Sequence, residues 1–164
     1  MAGSSTAELR LRPTREDDLD YVVAAEADPD NAPFLAPSPH GVHLEFLRDP
    51  LQRHIIAEVD GRSVGFALLR LHPEDRAVEL RRLAVTEKGR GHGRAALRLV
   101  TAAAFEQYGA HRLWLDVKPH NERALALYRS AGFVEEGLLR DALFLDGRFE
   151  SLIVMSILRH EWTD

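Results

Sequence analysis

A chain of 164 residues, 45% apolar and 29% charged, has room for one domain with a buried core and reads as soluble and globular. Its formal charge of −5 disfavours nucleic acid as the main partner, since phosphate binding normally requires a basic face. Absent cysteine excludes disulfides, thiolate metal sites and a cysteine nucleophile, and no apolar run is long enough to span a bilayer.

The start of the chain is small and polar with no signal-like apolar stretch behind it, so residues 1–7 are expected to form a flexible tail on a cytoplasmic protein without membrane contacts. Glu8 to Arg12 alternates with a strand period. Thr14 is placed to cap a helix over Asp17 to Ala27, with Leu19, Val22, Val23 and Ala27 on its apolar stripe. Acidic residues crowd the start of that helix, where its dipole favours them. Four prolines make Asp28 to Gly41 a loop, followed by a short helix at His43 to Arg48. His54 to Val59 and Arg62 to Leu71 read as strands joined by Asp60-Gly61, a hairpin signal. Ala77 to Val85 is another strand.

A glycine-rich loop and a long helix to about Gln107 come next, with Leu97, Val100, Ala104 and Tyr108 along one side and Arg94, Arg98 and Thr101 along another. Arg112 to Val117 is a strand. A short helix over Asn121 to Ala131 is capped by Asn121 and stopped by Gly132. Val134 to Leu145 and Phe149 to Leu158 are the last strands, with Asp146-Gly147 as a second hairpin signal. No repeat or composition break divides residues 1–164, and the element order fits a single α/β (α+β) domain with a mixed sheet and helices on both faces.

The segment Arg90-Gly91-His92-Gly93-Arg94-Ala95 lies between a strand and a helix. Glycines there let backbone approach a ligand, and the helix start offers unpaired N–H groups and partial positive charge. Lys88, Arg90 and Arg94 add cations, so a phosphate-bearing ligand is expected. Arg94-Ala95 stands where a P-loop needs Lys-Ser or Lys-Thr. Gly91-x-Gly93-x-x-Ala96, with Asp116 about 20 residues further on, also matches a Rossmann dinucleotide pattern. Against that reading, five residues separate Val85 from Gly91 and the chain ends in a β-hairpin rather than further βαβ units.

The same segment resembles the pyrophosphate motif Arg/Gln-x-x-Gly-x-Gly/Ala of the GNAT superfamily of N-acetyltransferases, with Arg90, Gly93 and Ala95 at the defined positions. Downstream, Asn121, Ala124, Tyr128, Gly132 and Phe133 fill a second signature, Asn-x-x-Ala-x-x-x-Tyr-x-x-x-Gly-Phe. The resemblance extends over nearly the whole chain in element order. Its C-terminal part is similar to a branch holding ribosomal-protein N-terminal and spermidine acetyltransferases.

The resemblance implies a GNAT-like, mostly antiparallel central sheet and transfer of acetyl from acetyl-CoA to a primary amine by direct attack, without an acyl-enzyme. It implies Tyr128 as the acid at the coenzyme sulfur and Glu79 as a base acting through water, a role that some relatives do without. Val78, Leu80 and Leu83 would give Glu79 apolar neighbours, while pairing with Arg81 is the alternative. Backbone groups of Leu83, Ala84 and Val85 would bind the pantetheine arm. Arg90, Gly91, His92, Gly93, Arg94 and Ala95 would bind the diphosphate, with Asn121 and Ala124 beside the coenzyme. Tyr128 also fits an apolar stripe with Ala124, Leu127 and Ala131, and Asn121 is sufficiently explained as a cap.

Glu26, Asp28 and Asp30 begin the loop where the family builds its acceptor pocket; a solvated loop is the plainer reading. The eight histidines show no metal spacing; His72 and His120 are candidates for a cleft, and scattered surface positions are the plainer reading of the set, His43 included. The expected acceptor is a peptide N-terminus, a polyamine or another small amine, and the expected assembly a monomer or homodimer. A non-catalytic CoA-sensing module is the alternative from outside enzymology, and a Rossmann-type enzyme the alternative within it.

Overall fold

The structure is a computed structural model that describes residues 7–164, so the tail expected at residues 1–7 lies, but for the last, outside the described residues. Seven strands form one sheet in the order β1-β2-β3-β4-β5-β7-β6. They are β1 (Leu9–Pro13), β2 (Gln52–Val59), β3 (Arg62–His72), β4 (Ala77–Val85), β5 (Arg112–Val117), β6 (Val134–Leu145) and β7 (Arg148–Leu158). Every pairing is antiparallel except β4 with β5. The helices are α1 (Leu19–Ala27), α2 (His40–Arg48), α3 (His92–Ala102, continued as a π-helical stretch over Ala103–Gln107) and α4 (Glu122–Ser130). The single parallel pair rules out the doubly wound sheet of the Rossmann reading.

Both hairpin signals hold, and the backbone shows why. Asp60 and Gly61 have φ of 51° and 73°, and Asp146 and Gly147 have 50° and 75°, the left-handed pair a two-residue hairpin requires.

Alternation along the strands sorts side chains onto two faces. Ile55, Ala67, Leu69, Val78, Leu80, Leu113, Leu115 and Ile157 meet Leu97, Val100, Leu125 and Tyr128 on the α3–α4 face. Ile56, Phe66 and Ala84 meet Leu19, Val22 and Ala25 on the α1–α2 face. Each fully buried Leu or Ile contributes about 1.5–3 kcal/mol by leaving water.

Two irregularities of β4 open the sheet. Leu68 faces Arg82 while Leu69 faces Leu80, so Arg81 is an extra residue that bulges β4 in mid-strand. And β4 pairs with β5 only through Ala77–Arg112, Val78–Leu113 and Glu79–Trp114. Beyond those pairs β4 stays with β3 and β5 stays with β7, so the sheet parts into a wedge.

The α1 expectation needs correction. Asp17 and Asp18 belong to a preceding 3₁₀ turn (Glu16–Asp18), where Asp18 accepts the Arg15 N–H at 2.7 Å, and Thr14 caps neither that turn nor α1. Ala25 and Glu26 are buried, whereas Ala27 is exposed. Thr101, placed by sequence on the polar side of α3, is buried and donates to the Leu97 carbonyl at 2.7 Å. The α2 helix starts three residues before its expected first residue, after Pro39.

Thr14 instead joins a buried polar chain beneath α1 and α2. Its hydroxyl lies 2.9 Å from His54 Nδ1, His54 Nε2 lies 3.0 Å from His43 Nδ1, and His43 Nε2 bonds Glu26 Oε1. The Glu26 carboxylate also accepts from Arg82 Nη1 at 2.6 Å. Glu26 and His43 are wholly inaccessible and His54 is nearly so, which corrects the picture of scattered surface histidines.

Burial, with the neighbouring His43 and Arg82 adding, pushes His54 down to about 4. The unfolded chain takes up that proton below about pH 6.5 and the folded chain resists it, so stability falls as pH drops from about 6.5 to 4. The loss from this group is on the order of 3 kcal/mol. Urea unfolding at pH 7 and pH 4.5 should show it, and His54→Gln should flatten the slope between those values; an unchanged slope would contradict the assignment.

Candidate active site

The wedge between β4 and β5 is continued by a cleft of about 630 Å³. One wall is the loop after β4 and the start of α3. Gly89 and Gly91 take φ of 77° and 76°, a turn that only glycine makes without strain. Gly91 caps α3, and its carbonyl accepts the Ala95 N–H at 3.1 Å. The amides of His92, Gly93 and Arg94 precede that first helical bond, and all three residues line the cleft.

A Cβ built on Gly93 would meet nothing closer than Leu127 Cδ2 at 3.6 Å. The fold therefore leaves open room at Gly93, which faces the cleft. His92 Nδ1 is buried without a hydrogen-bond partner at the same helix end. Lys88 reaches Asn31 Oδ1 at 2.6 Å, and desolvation lowers its pKa below the ordinary lysine value. Helix-end amides, an orphaned imidazole nitrogen and unfilled space at a glycine fit the diphosphate of a coenzyme.

The opposite wall is α4, whose N-cap Asn121 accepts the Ala124 N–H at 3.2 Å and also lines the cleft with Ala124, Leu127 and Tyr128. The Tyr128 ring packs on Phe133 with centroids 5.7 Å apart. Desolvation, with the Asp116 charge adding, pushes its phenol up to about 12. Tyr128 is thus both core and cleft wall.

The other expected residues divide by position. Leu83 and Val85 line the cleft, and the edge of β4 beyond Glu79 has no ladder partner among the described residues. Ala84 turns its side chain into the α1–α2 core. Ala95 packs toward β1 and β2. Arg90 is exposed, with its guanidinium 3.9 Å from Glu87.

Glu79 is half-buried, 3.5 Å from His72 Nε2 and 3.9 Å from Arg81 Nε. Its expected apolar neighbours Val78 and Leu80 point into the core on the other face, so the pairing with Arg81 is the arrangement found. His120 lines the cleft with its ring 5.5 Å from Phe34.

Sequence reasoning missed several wall residues. Asn31, Phe34 and Leu35 arrive from the proline-rich loop. Outside that wall, Asp116, which the sequence offered only for a dinucleotide pattern, shares a face of β5 with Trp114, which stands in register with Glu79. Desolvation raises the Asp116 carboxyl above its ordinary value; the negative Glu79 adds and Arg81 opposes. Its signal was the Leu113–Leu115–Val117 alternation that turns Trp114 and Asp116 the other way. Of the acidic trio, Asp30 lines the cleft, but Glu26 is buried and paired. No group of three metal-ligating side chains occurs among the described residues.

Known proteins agree with this geometry. The chain is 26% identical to spermidine N(1)-acetyltransferase of Escherichia coli strain K12, over 96% of its own length and 90% of that protein. It is 35% identical to a putative ribosomal N-acetyltransferase of Bacillus subtilis strain 168 across 46% of the chain and 41% of that protein. The crystal structure of spermidine N-acetyltransferase from Vibrio cholerae, in complex with CoA and spermine, superposes with a TM-score of 0.84 at 22% identity, covering 94% and 97% of the two chains. The sequence profile of the acetyltransferase (GNAT) family matches residues 14–133. The chain belongs to that family: it is an acetyl-CoA-dependent N-acyltransferase that moves acetyl to an amine.

Proposed function

We propose that this chain acetylates a small cationic primary amine of the polyamine type. The observation that carries this is that Glu79 stands in register with Trp114 where β4 and β5 part, with Asp116 on the same strand face as Trp114 and close enough for the Glu79 charge to raise its carboxyl. Two carboxylates and an aromatic face make a seat for an ammonium group. The Escherichia coli and Vibrio cholerae relatives, named for spermidine, support the same class of acceptor.

Acetyl-CoA, when bound, supplies the activated acetyl group. The amides of His92, Gly93 and Arg94 hold its diphosphate, and the open edge of β4 from Leu83 to Val85 aligns its extended arm. The Leu83 amide is the donor for charge developing on the thioester oxygen. An amine attacks only when neutral, so its proton passes to Asp116 or Glu79, directly or through water.

Tyr128 serves the leaving sulfur. With its phenol at about 12, it stays protonated at neutral pH and is a weaker acid than an ordinary tyrosine. A thiol near about 8.5 cannot draw that proton fully away, so Tyr128 stabilises the departing thiolate as a hydrogen-bond donor.

Thiol release from acetyl-CoA tests the reading directly. Spermidine should support turnover with a higher kcat/KM than a peptide bearing a free N-terminus. The reverse order would move the acceptor to the peptide class, and no release with any amine would leave a CoA-sensing module.

Tyr128→Phe should bind acetyl-CoA normally yet lose about 10²-fold in kcat. Undiminished turnover would remove Tyr128 from the chemistry. Gly93→Val should keep the fold, because space exists at that position, yet weaken coenzyme binding by about tenfold or more in calorimetry. Unchanged affinity would show that the diphosphate lies elsewhere.

A further inference from the structure

The loop between α1 and α2 does more than connect them. From Asn31 to Ser38 it crosses the mouth of the wedge, and Phe34 and Leu35 along it form part of the cleft wall. Its first anchor is Asn31, whose Nδ2 donates to the Ala25 carbonyl at 2.9 Å and the Val85 carbonyl at 3.2 Å. Its last anchor is Ser38, whose hydroxyl accepts from Arg82 Nη1 at 3.0 Å and whose N–H donates to Glu26 Oε1 at 3.4 Å. In between, the Pro33 carbonyl accepts from Lys118 at the end of β5 at 3.3 Å, and Lys118 pairs with Glu150 of β7 at 2.9 Å. The strap is therefore tied to β4 at residues 82 and 85 and to the β5–β7 side at its centre.

The anchor at Ser38 is backed by the buried chain. An ionised Glu26 needs a donor at each oxygen, and Arg82 and His43 supply them. If His43 is neutral, its Nε2–H faces Glu26 and its Nδ1 accepts from His54 Nε2–H; His54 Nδ1 then accepts from the Thr14 hydroxyl. Every polar group in the row is satisfied with one tautomer per ring. Thr14 after β1, His54 of β2, His43 of α2 and Glu26 of α1 thus converge on the guanidinium of Arg82, next to the Arg81 bulge.

We propose that Arg82 and Glu26 are positioning residues for the transfer reaction. They fix the strap across the wedge through Ser38, and so hold Phe34 and Leu35 against the coenzyme. The kinetic readout rests on the acetyl-transfer reading; the binding and exchange readouts do not.

Ser38 is a half-buried loop residue, so Ser38→Ala tests the anchor without touching the core. It should leave the thermal midpoint near that of the parent chain, raise the Kd for coenzyme A and the KM for acetyl-CoA about fivefold, and speed amide exchange in residues 31–38. Ser38→Thr keeps the hydroxyl and should restore all three. Arg82→Lys keeps a cation for Glu26 on a shorter stem, which draws the shared donor nitrogen back from Ser38, and should shift coenzyme binding in the same direction.

The proposal is overturned if Ser38→Ala leaves coenzyme affinity and strap exchange unchanged, or if Ser38→Thr behaves like Ser38→Ala. If the parent chain releases no thiol with any amine, the acetyl-transfer reading fails alone, and the strap is judged by Kd and exchange.

Discussion

The site depends on the parting of β4 from β5 after only three paired residues. Elsewhere every pairing is antiparallel, interrupted only by local register shifts in β2–β3, β3–β4 and β6–β7. Where the two parallel strands separate, β4 presents an edge with no strand partner among the described residues, its Val85 carbonyl taken by Asn31. Such an edge is normally blunted or covered. Here it faces a cleft closed by a helix N-terminus at one end and by α4 on the far side, the place where the proposed reading seats the coenzyme arm.

The bulge at Arg81 makes the two faces of the wedge chemically different. Before it, Glu79 faces the α1–α2 side while Val78 and Leu80 enter the core. After it, Leu83 returns to the cleft, while Arg82 and Ala84 face α1. A regular strand would break one of these placements, because slipping the alternation by one residue exchanges the faces. The inserted residue lets one strand set Glu79 beside Trp114 and then turn Leu83 to the cleft in succession.

Polar groups under α1 and α2 extend this organisation. A carboxylate buried as deeply as that of Glu26 costs several kcal/mol unless paired on all sides, and the Thr14–His54–His43 row together with Arg82 meets that need. Leu19, Val22 and Phe66 pack around the row and keep water from competing for its hydrogen bonds. The apolar core and the polar row thus locate the same helices against the same strands.

Local chemistry was legible in the sequence. Asp60-Gly61 and Asp146-Gly147 announced their hairpins because two consecutive left-handed residues tolerate few other pairs. β4, β5 and β6 have the bounds their alternation gave, and Asn121 and Gly132 bracket α4 because capping is decided within four residues. The glycine loop before α3 was likewise legible, since a helix end and its free amides are a local property. What the sequence could not show was which residues meet from afar. Thr14 looked like a helix cap, Glu26 like a solvated acid and His43 like a surface histidine, yet three-dimensional packing joins them in one buried row. Asp116 became a site residue only when the β4–β5 register placed Trp114 beside Glu79. Sequence by itself determined the elements and the glycine turn before α3, because hydrogen bonds between near neighbours set them. Tertiary structure alone decided the wedge, its acidic mouth and its strap, because those arise from contacts between residues some 35 to 85 positions apart in the chain.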